Sequence, residues 1–382
     1  MNKVYIAGIG QTNVGEHWDR SLRNLSAEAI LAAMHDAGDN VAVDALYAGN
    51  LLASSASKQS NIGSMIASNA GLTGVETFSA EAGEASGAAA LRMGYLAVRS
   101  GYARTALVVG VEKYTDMVGS NIDRVIAHSV DYDFEAMEGM TPQTLAGLLM
   151  QRYIHAYDVP RTSLCALPIT AHANAVHNPF AMFRRAISDQ TYSRAGLVCD
   201  PLNLMDVAPY ADGAAVIMLT ADETIARKND KPLVEIAASA GAVDTLALHD
   251  RADALVFSAV TASTQKALAL AGMTLEEIDL YELWDAFSIY GVLSVEAVGL
   301  AAMGAGWRWI ADNADLALVT MGGNKARGFP LGAAGVYQAV EAAMQLRGAA
   351  GNNQIRGAQR AMIQALGGPA SNVITHILAR TV

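Results

Sequence analysis

Short β-branched and aliphatic runs alternate along the chain with Ala-rich stretches of helical period, the order that layered α/β folds produce. Val4–Ala7 reads as a strand that ends in a Gly8-Ile9-Gly10 turn, Leu25–Ala37 as a helix and Ala45–Ala48 as a short strand. Ala85–Ser100 reads as a helix whose first residues are all small, so neighbours can approach closely. Ala106–Val111 is an unbroken apolar run, the pattern of a strand covered on both faces. From about Tyr114 to Asp212 the pattern becomes irregular and more polar, with amphipathic segments at Leu145–Ala156 and Ser163–Ala175. A stretch that long between strands reads as a functional insertion. Ala214–Leu219 closes the first half as a strand. Leu233–Ala238, Ile278–Tyr281, Leu316–Thr320 and Val373–Leu378 then read as strands, with helices at Val260–Ala271, Phe287–Ala301 and Gly332–Gln345. The same grammar occurs twice without a repeat period of 20–50 residues. It predicts two α/β halves, residues 1–222, which carry the insertion 114–212, and residues 223–382.

Of the 382 residues 52% are hydrophobic and 16% charged, against roughly 25% charged in an average soluble domain. A large core follows, and part of the apolar excess is expected between subunits. The net charge of −11 excludes nucleic acid as the main ligand, because phosphate binding needs a cationic face. No apolar run reaches the length of a membrane-spanning helix. The first residues turn polar too early for a signal peptide. Two cysteines, Cys165 and Cys199, make no disulfide framework, so a reducing, cytoplasmic setting is expected.

Gly8-Ile9-Gly10 lacks the third glycine of a dinucleotide fingerprint, since Asn13 stands there. No phosphate-loop motif is present, and none of the eight histidines has zinc-site spacing. Three glycine-rich segments, Glu81–Gly87, Gly322–Gly335 and Leu366–Ser371, fall at junctions of strand and helix. Backbone N–H groups exposed there can hold an anion or a carbonyl oxygen. Tight packing turns would have the same composition.

These segments occur in order with Ile9-Gly-Gln-Thr, Gly15-Glu-His-Trp-Asp19, Val109-Gly-Val-Glu-Lys-Tyr-Thr-Asp116, Asp200-Pro-Leu, Asp212-Gly-Ala-Ala215 and Asp244–Arg251. Over nearly its whole length the chain resembles the thiolase superfamily, close to acetyl-CoA acetyltransferases and sterol-carrier-linked thiolases. The resemblance implies a duplicated five-layer αβαβα thiolase fold, a tight dimer and a coenzyme A thioester pocket at the C-terminal ends of the strands. Thiolases form or cleave a carbon–carbon bond beside a thioester. They use a cysteine thiolate at a helix N-terminus, a base for Cα deprotonation and donors aimed at developing oxyanions.

Each reactive position is altered. Glu84 stands for the nucleophile of Cys-Ala-Ser-Gly, Trp284 for the histidine of His-Asp-x-Phe, and Phe329 for the histidine of Gly-His-Pro. Gln364 falls at the near-C-terminal Cys or His. Asp285 and Ser86 are expected to support the site. Lys325 and Arg327, with Gly332 and Gly335, are expected to meet the coenzyme A tail. Trp284 and Phe329 should narrow the reactive end more than the tail end. Glu84 reads as a retained carboxylate acting as a base or mimicking an acyl group. A charge on a helix dipole, worth about 0.3–1 kcal/mol at an exposed site, is the plainer reading. Cys165, Cys199, His128, His155 and His172 read as ordinary fold residues. The resemblance implies a relative of acetyl-CoA C-acyltransferases that lacks thiolase activity and serves an acyl-CoA-processing complex. Its partner would be a second copy, an active thiolase or a zinc-ribbon/OB-fold acyl-CoA-binding subunit. Two alternatives remain open: altered acyl-CoA chemistry at Glu84, by decarboxylation or retro-aldol cleavage, and acyl-CoA or lipid binding alone. No covalent cofactor and no metal is expected, only a coenzyme A thioester as ligand.

Overall fold

The computed structural model describes residues 1–117, 119–313 and 317–381. Strands β1 (Tyr5–Gln11), β2 (Ala45–Gly49), β3 (Glu76–Ala80), β4 (Thr105–Glu112) and β5 (Gly213–Thr220) belong to the first half. Strands β6 (Leu233–Val243), β7 (Leu280–Glu282), β8 (Arg360–Gly367) and β9 (Asn372–Thr381) belong to the second. They lie in the order β3-β2-β4-β5-β1-β6-β9-β8-β7, and the halves join where Tyr5 pairs with Glu235. In the first half β2 pairs parallel with β3 and β4, and β5 runs antiparallel to β4 and β1. The second half repeats this. Tyr281 bridges Leu318 in parallel, β7 and β8 are parallel, and β9 is antiparallel to β8 and β6. Duplication is therefore explicit in the pairing pattern.

The principal helices are α1 (Leu22–Asp36), α2 (Ile62–Asn69), α3 (Ser86–Ser100), α4 (Pro142–Tyr157), α5 (Ala166–Ala175), α6 (Ser258–Ala271), α7 (Ser288–Val298) and α8 (Ala334–Arg347). α1 and α2 cover one face of the first half, and α6 covers the second half, with α7 packed on α6. Between the halves, α3 and α8 pack on each other and touch strands of both. Five layers result. Nearly every residue of α8 is buried, as a helix in a central layer requires. Its polar groups are accordingly paired: Gln338 Nε2 donates to the Glu282 carbonyl at 3.0 Å and to the Gln364 carbonyl at 3.1 Å.

Several sequence expectations change. Gly8 and Gly10 lie inside β1, not in a turn. A Cβ at Gly8 would stand 2.2 Å from the Ala33 carbonyl oxygen, so the glycine admits α1. The expected strand Leu316–Thr320 is reduced to the single bridge at Leu318, and Leu316 lies outside the described residues. α7 stops at Val298, where Gly299 takes a left-handed conformation. α2, β3 and β8 were not anticipated. The insertion is largely helical, built on α4 and α5.

A buried acidic cluster sits under the second half. Arg327 Nη1 lies 2.8 Å from Glu341 Oε2, and Glu282 Oε1 accepts from the Thr320 amide at 2.9 Å and hydroxyl at 2.6 Å. Burial, then mutual repulsion, pushes the Glu282 carboxyl up; burial also raises Glu341, against the pull of Arg327. Burial likewise raises Asp285 to about 6 and Glu112 to about 7. Carboxyls raised in this way bind more protons folded than unfolded, so their contribution is complete below the ordinary carboxylate range and is lost as pH rises through the raised values. The thermal midpoint should therefore fall from about pH 5 to about pH 7. Glu282→Gln keeps the acceptor for Thr320 and should fall less steeply; equal slopes would show that Glu282 does not titrate there.

Candidate functional site

Glu84 precedes the first turn of α3, whose cap residue is Ala85. Its side chain is buried. Glu84 Oε1 accepts from the Ser129 hydroxyl and Oε2 from the Gly368 amide, each at 2.7 Å. The Gly368 contact exists because two glycine segments touch backbone to backbone. A Cβ at Gly367 would lie 2.1 Å from the Ala82 carbonyl oxygen. Burial pushes the Glu84 carboxyl up, and the two donors pull against it. Ser86 turns back to the Gly83 carbonyl at 2.5 Å and shapes this loop without entering the site.

Opposite Glu84, the Trp284 and Phe329 rings meet edge to face, centroids 5.5 Å apart. Asp285 anchors the segment that carries Phe329. Its Oδ1 accepts from the Asn324 amide at 2.6 Å and its Oδ2 from the Lys325 amide at 3.2 Å. Tyr114 donates its hydroxyl to the Phe329 carbonyl at 2.7 Å. The insertion supplies the roof, with Val207 bridged to Phe287 and Tyr210 to Phe329.

These residues enclose a chamber of about 20 Å³ lined by Glu84, Gln143, Tyr210, Trp284, Tyr290, Phe329 and Gly368, among others. Gln143, Val207, Ala208 and Tyr210 also line an outer groove of about 660 Å³. The groove wall is mostly apolar, with exposed Arg184 and Arg185 beside it and His172 stacked on Phe183. A wide groove thus lies beside a chamber one water molecule across.

Five expected site residues are engaged by the fold instead. Arg327 is fully buried and held by Glu341 and Asn324. Lys325 reaches the groove wall, but its Nζ donates to the Leu204 carbonyl at 3.1 Å and the Val207 carbonyl at 2.6 Å, and burial lowers it to about 8. Neither is a free cation for a phosphate. Gly332 and Gly335 are packing positions; a Cβ there would meet the Leu51 amide at 2.7 Å and the Ala88 amide at 2.8 Å. Gln364 sits on β8 with its amide on Thr264 and Thr375, away from the chamber. Cys165 and Cys199 do not line the chamber, and burial raises both thiols. Conversely, Ser129, Gln143, Tyr210 and Tyr290 were not anticipated. The three from the insertion or its edge carry no motif, and Tyr290 reads in sequence as helix core.

Residues 4–223 match the family model of the thiolase N-terminal domain, and residues 240–380 that of the thiolase C-terminal domain-like family. The chain belongs to the thiolase family. It is 39% identical, over all of both chains, to an acetyl-CoA acetyltransferase of Methanothermobacter thermautotrophicus. It is 34% identical to the acetyl-CoA acetyltransferase of Methanocaldococcus jannaschii, covering 91% of this chain and 90% of that one. Among solved structures, the Ltp2-ChsH2(DUF35) aldolase superposes with a TM-score of 0.85 at 23% identity, over 99% of this chain and 98% of that one. That likeness carries the thiolase fold. Among the described residues no helix is long and apolar enough to cross a membrane.

The ring pair makes a direct prediction. Trp284→Ala should cost about 3–5 kcal/mol, as other large-to-small core truncations do, measured by urea unfolding. A loss under about 1 kcal/mol would show that the indole does not fill the site.

Proposed function

We propose that this chain lacks thiolase activity, takes an acyl-CoA thioester in the outer groove, and works as a subunit of an acyl-CoA-processing complex. The observation that carries this reading is the chamber itself. Its lining holds Glu84, Trp284 and Phe329, which the family motifs align with the nucleophile and the two imidazoles, and no cysteine or histidine is among its lining residues. A carboxylate held by two donors is a weak acyl acceptor, and nothing beside it can shuttle the protons of a Claisen step. The groove is large enough for a pantetheine arm, and Arg184 and Arg185 offer the cations that coenzyme A phosphates need.

Association is supported by the edge of the sheet. β3 is its outermost strand in the first half, and Phe78 on it is 54% exposed. An uncovered edge with an exposed aromatic suits pairing with a second chain. The partner is a second copy or another subunit; the aldolase structure, whose title pairs Ltp2 with a DUF35 chain, supports the second. A cytoplasmic setting fits two free cysteines. The raised Glu84 carboxyl favours one further reading, that the site performs acid–base chemistry of another kind on the bound thioester.

The test is coenzyme A-dependent loss of acetoacetyl-CoA absorbance. The unmodified protein should show none, and robust thiolysis would overturn the reading. Glu84→Cys should create an alkylatable thiol, because the helix terminus favours the thiolate. It should not turn over, since residues that act as one unit fail together. Adding Trp284→His and Phe329→His should restore a trace of thiolysis. Light scattering at micromolar concentration should give a mass above the 40.0 kDa chain; a stable monomer that also fails to join any acyl-CoA-processing partner would remove the complex.

A further inference from the structure

The chamber at Glu84 holds polar groups that the fold leaves unused. Tyr290, on α7, is 2% exposed and lines the chamber. Its ring packs edge to face on Phe257 and Phe287, which fixes its direction. Its hydroxyl makes no hydrogen bond to another described residue. A phenol that lines the chamber without a protein partner can donate to a guest there. Gln143 repeats the pattern. Its Nε2 donates to the Tyr210 hydroxyl, while its Oε1 is buried without a partner. The Tyr210 hydroxyl in turn donates to Asp123 at 2.7 Å, so the direction of the Gln143 amide is set from outside the chamber.

One donor (Tyr290) and one carboxylate (Glu84) therefore border a space of about 20 Å³, with Gln143 in its wall. A water molecule needs about that space and two to four polar partners. No acyl group fits there, but the chamber adjoins the groove at Gln143, Val207, Ala208 and Tyr210, which line both. A thioester carbonyl lying at the inner end of the groove would face such a water.

We propose that Glu84 and Tyr290 hold one water as the nucleophile of an acyl-CoA thioester hydrolase, with Glu84 as general base. This rests on the reading that the groove takes an acyl-CoA thioester. A water proton passes to the Glu84 carboxylate as the water oxygen bonds to the carbonyl carbon. The tetrahedral oxyanion re-forms the carbonyl and the carbon–sulfur bond breaks. The products are a carboxylic acid and a coenzyme A thiolate, which takes the proton back from Glu84. Water is the only co-reactant. Tyr290 positions the water; Glu84 is the catalytic residue. The acyl chain is limited by the groove, since Trp284 and Phe329 close the space beyond Glu84.

The experiment uses the full chain with acetyl-CoA and octanoyl-CoA. Free thiol is read with a disulfide dye, ¹⁸O from labelled water is sought in the product carboxylate, and binding of a non-hydrolysable thioether analogue is measured by calorimetry. The analogue should bind, thiol should be released, and ¹⁸O should enter the acid. Glu84→Gln should lower kcat by about 100-fold or more, the range of general-base catalysis. Tyr290→Phe should lower kcat with KM unchanged, a split that loss of packing alone would not produce. Analogue binding without thiol release by the unmodified protein overturns the hydrolase and leaves the groove reading standing. Failure of the analogue to bind overturns both. Release undiminished in a folded Glu84→Gln variant, checked by its thermal midpoint, removes Glu84 as the base.

Discussion

Two helices packed between the two halves of one sheet impose the constraint on which the rest of this structure depends. α8 has no solvent face and α3 only a partial one that includes Leu96, so most polar groups beside them are paired inside the protein. The consequences can be followed residue by residue. Gln338 ties β7 to β8 through two carbonyls. Glu112 gathers the Leu51, Leu52 and Gly332 amides with the Asn50 side chain. Arg327 lies against Glu341, and Asp285 holds the loop that bears Phe329. The glycine segments are the steric side of the same constraint. They let backbone approach backbone wherever two central helices must share one layer, as Gly335 does against Ala88.

The strand and helix order of the chain was legible because its apolar runs are long and its small-residue helix is unambiguous. The duplication could be inferred from that grammar, and the structure expresses it in strand order. The misses have local causes. β8 begins Arg360-Ala-Met-Ile-Gln, where the buried Gln364 interrupts an apolar run and hides a strand. β3 is an edge strand with a polar, half-exposed pattern. The Gly8-Ile9-Gly10 segment carries turn composition because α1 lies against it, a tertiary cause that no local pattern displays.

The site divides in the same way. Glu84, Trp284 and Phe329 could be placed from motifs because their neighbours in sequence are kept, and the structure brings all three to one chamber. Lys325 and Arg327 misled for a physical reason. Two cations in a glycine loop read as a phosphate site, yet both are buried, and their charges are absorbed by carbonyls and carboxylates of the fold. Ser129, Gln143 and Tyr210 come from a stretch of weak periodicity. Only the three-dimensional return of that stretch over the strand ends makes it a roof.

The replacements at the reactive end are best understood together rather than one at a time. A glutamate at position 84 beside two imidazoles would form an ion pair. The pair would hold the carboxylate ionised and the imidazole protonated, which makes the carboxylate a weaker base than one with no cation beside it. Aromatic rings at 284 and 329 remove that partner and lower the local dielectric. The Glu84 carboxyl then rises under desolvation, while Ser129 and Gly368 keep its anion from becoming prohibitively costly. The wall and the two donors act on the same carboxyl in opposite directions. The chamber combines an apolar wall with two donors, so Glu84, Trp284 and Phe329 share in one electrostatic balance.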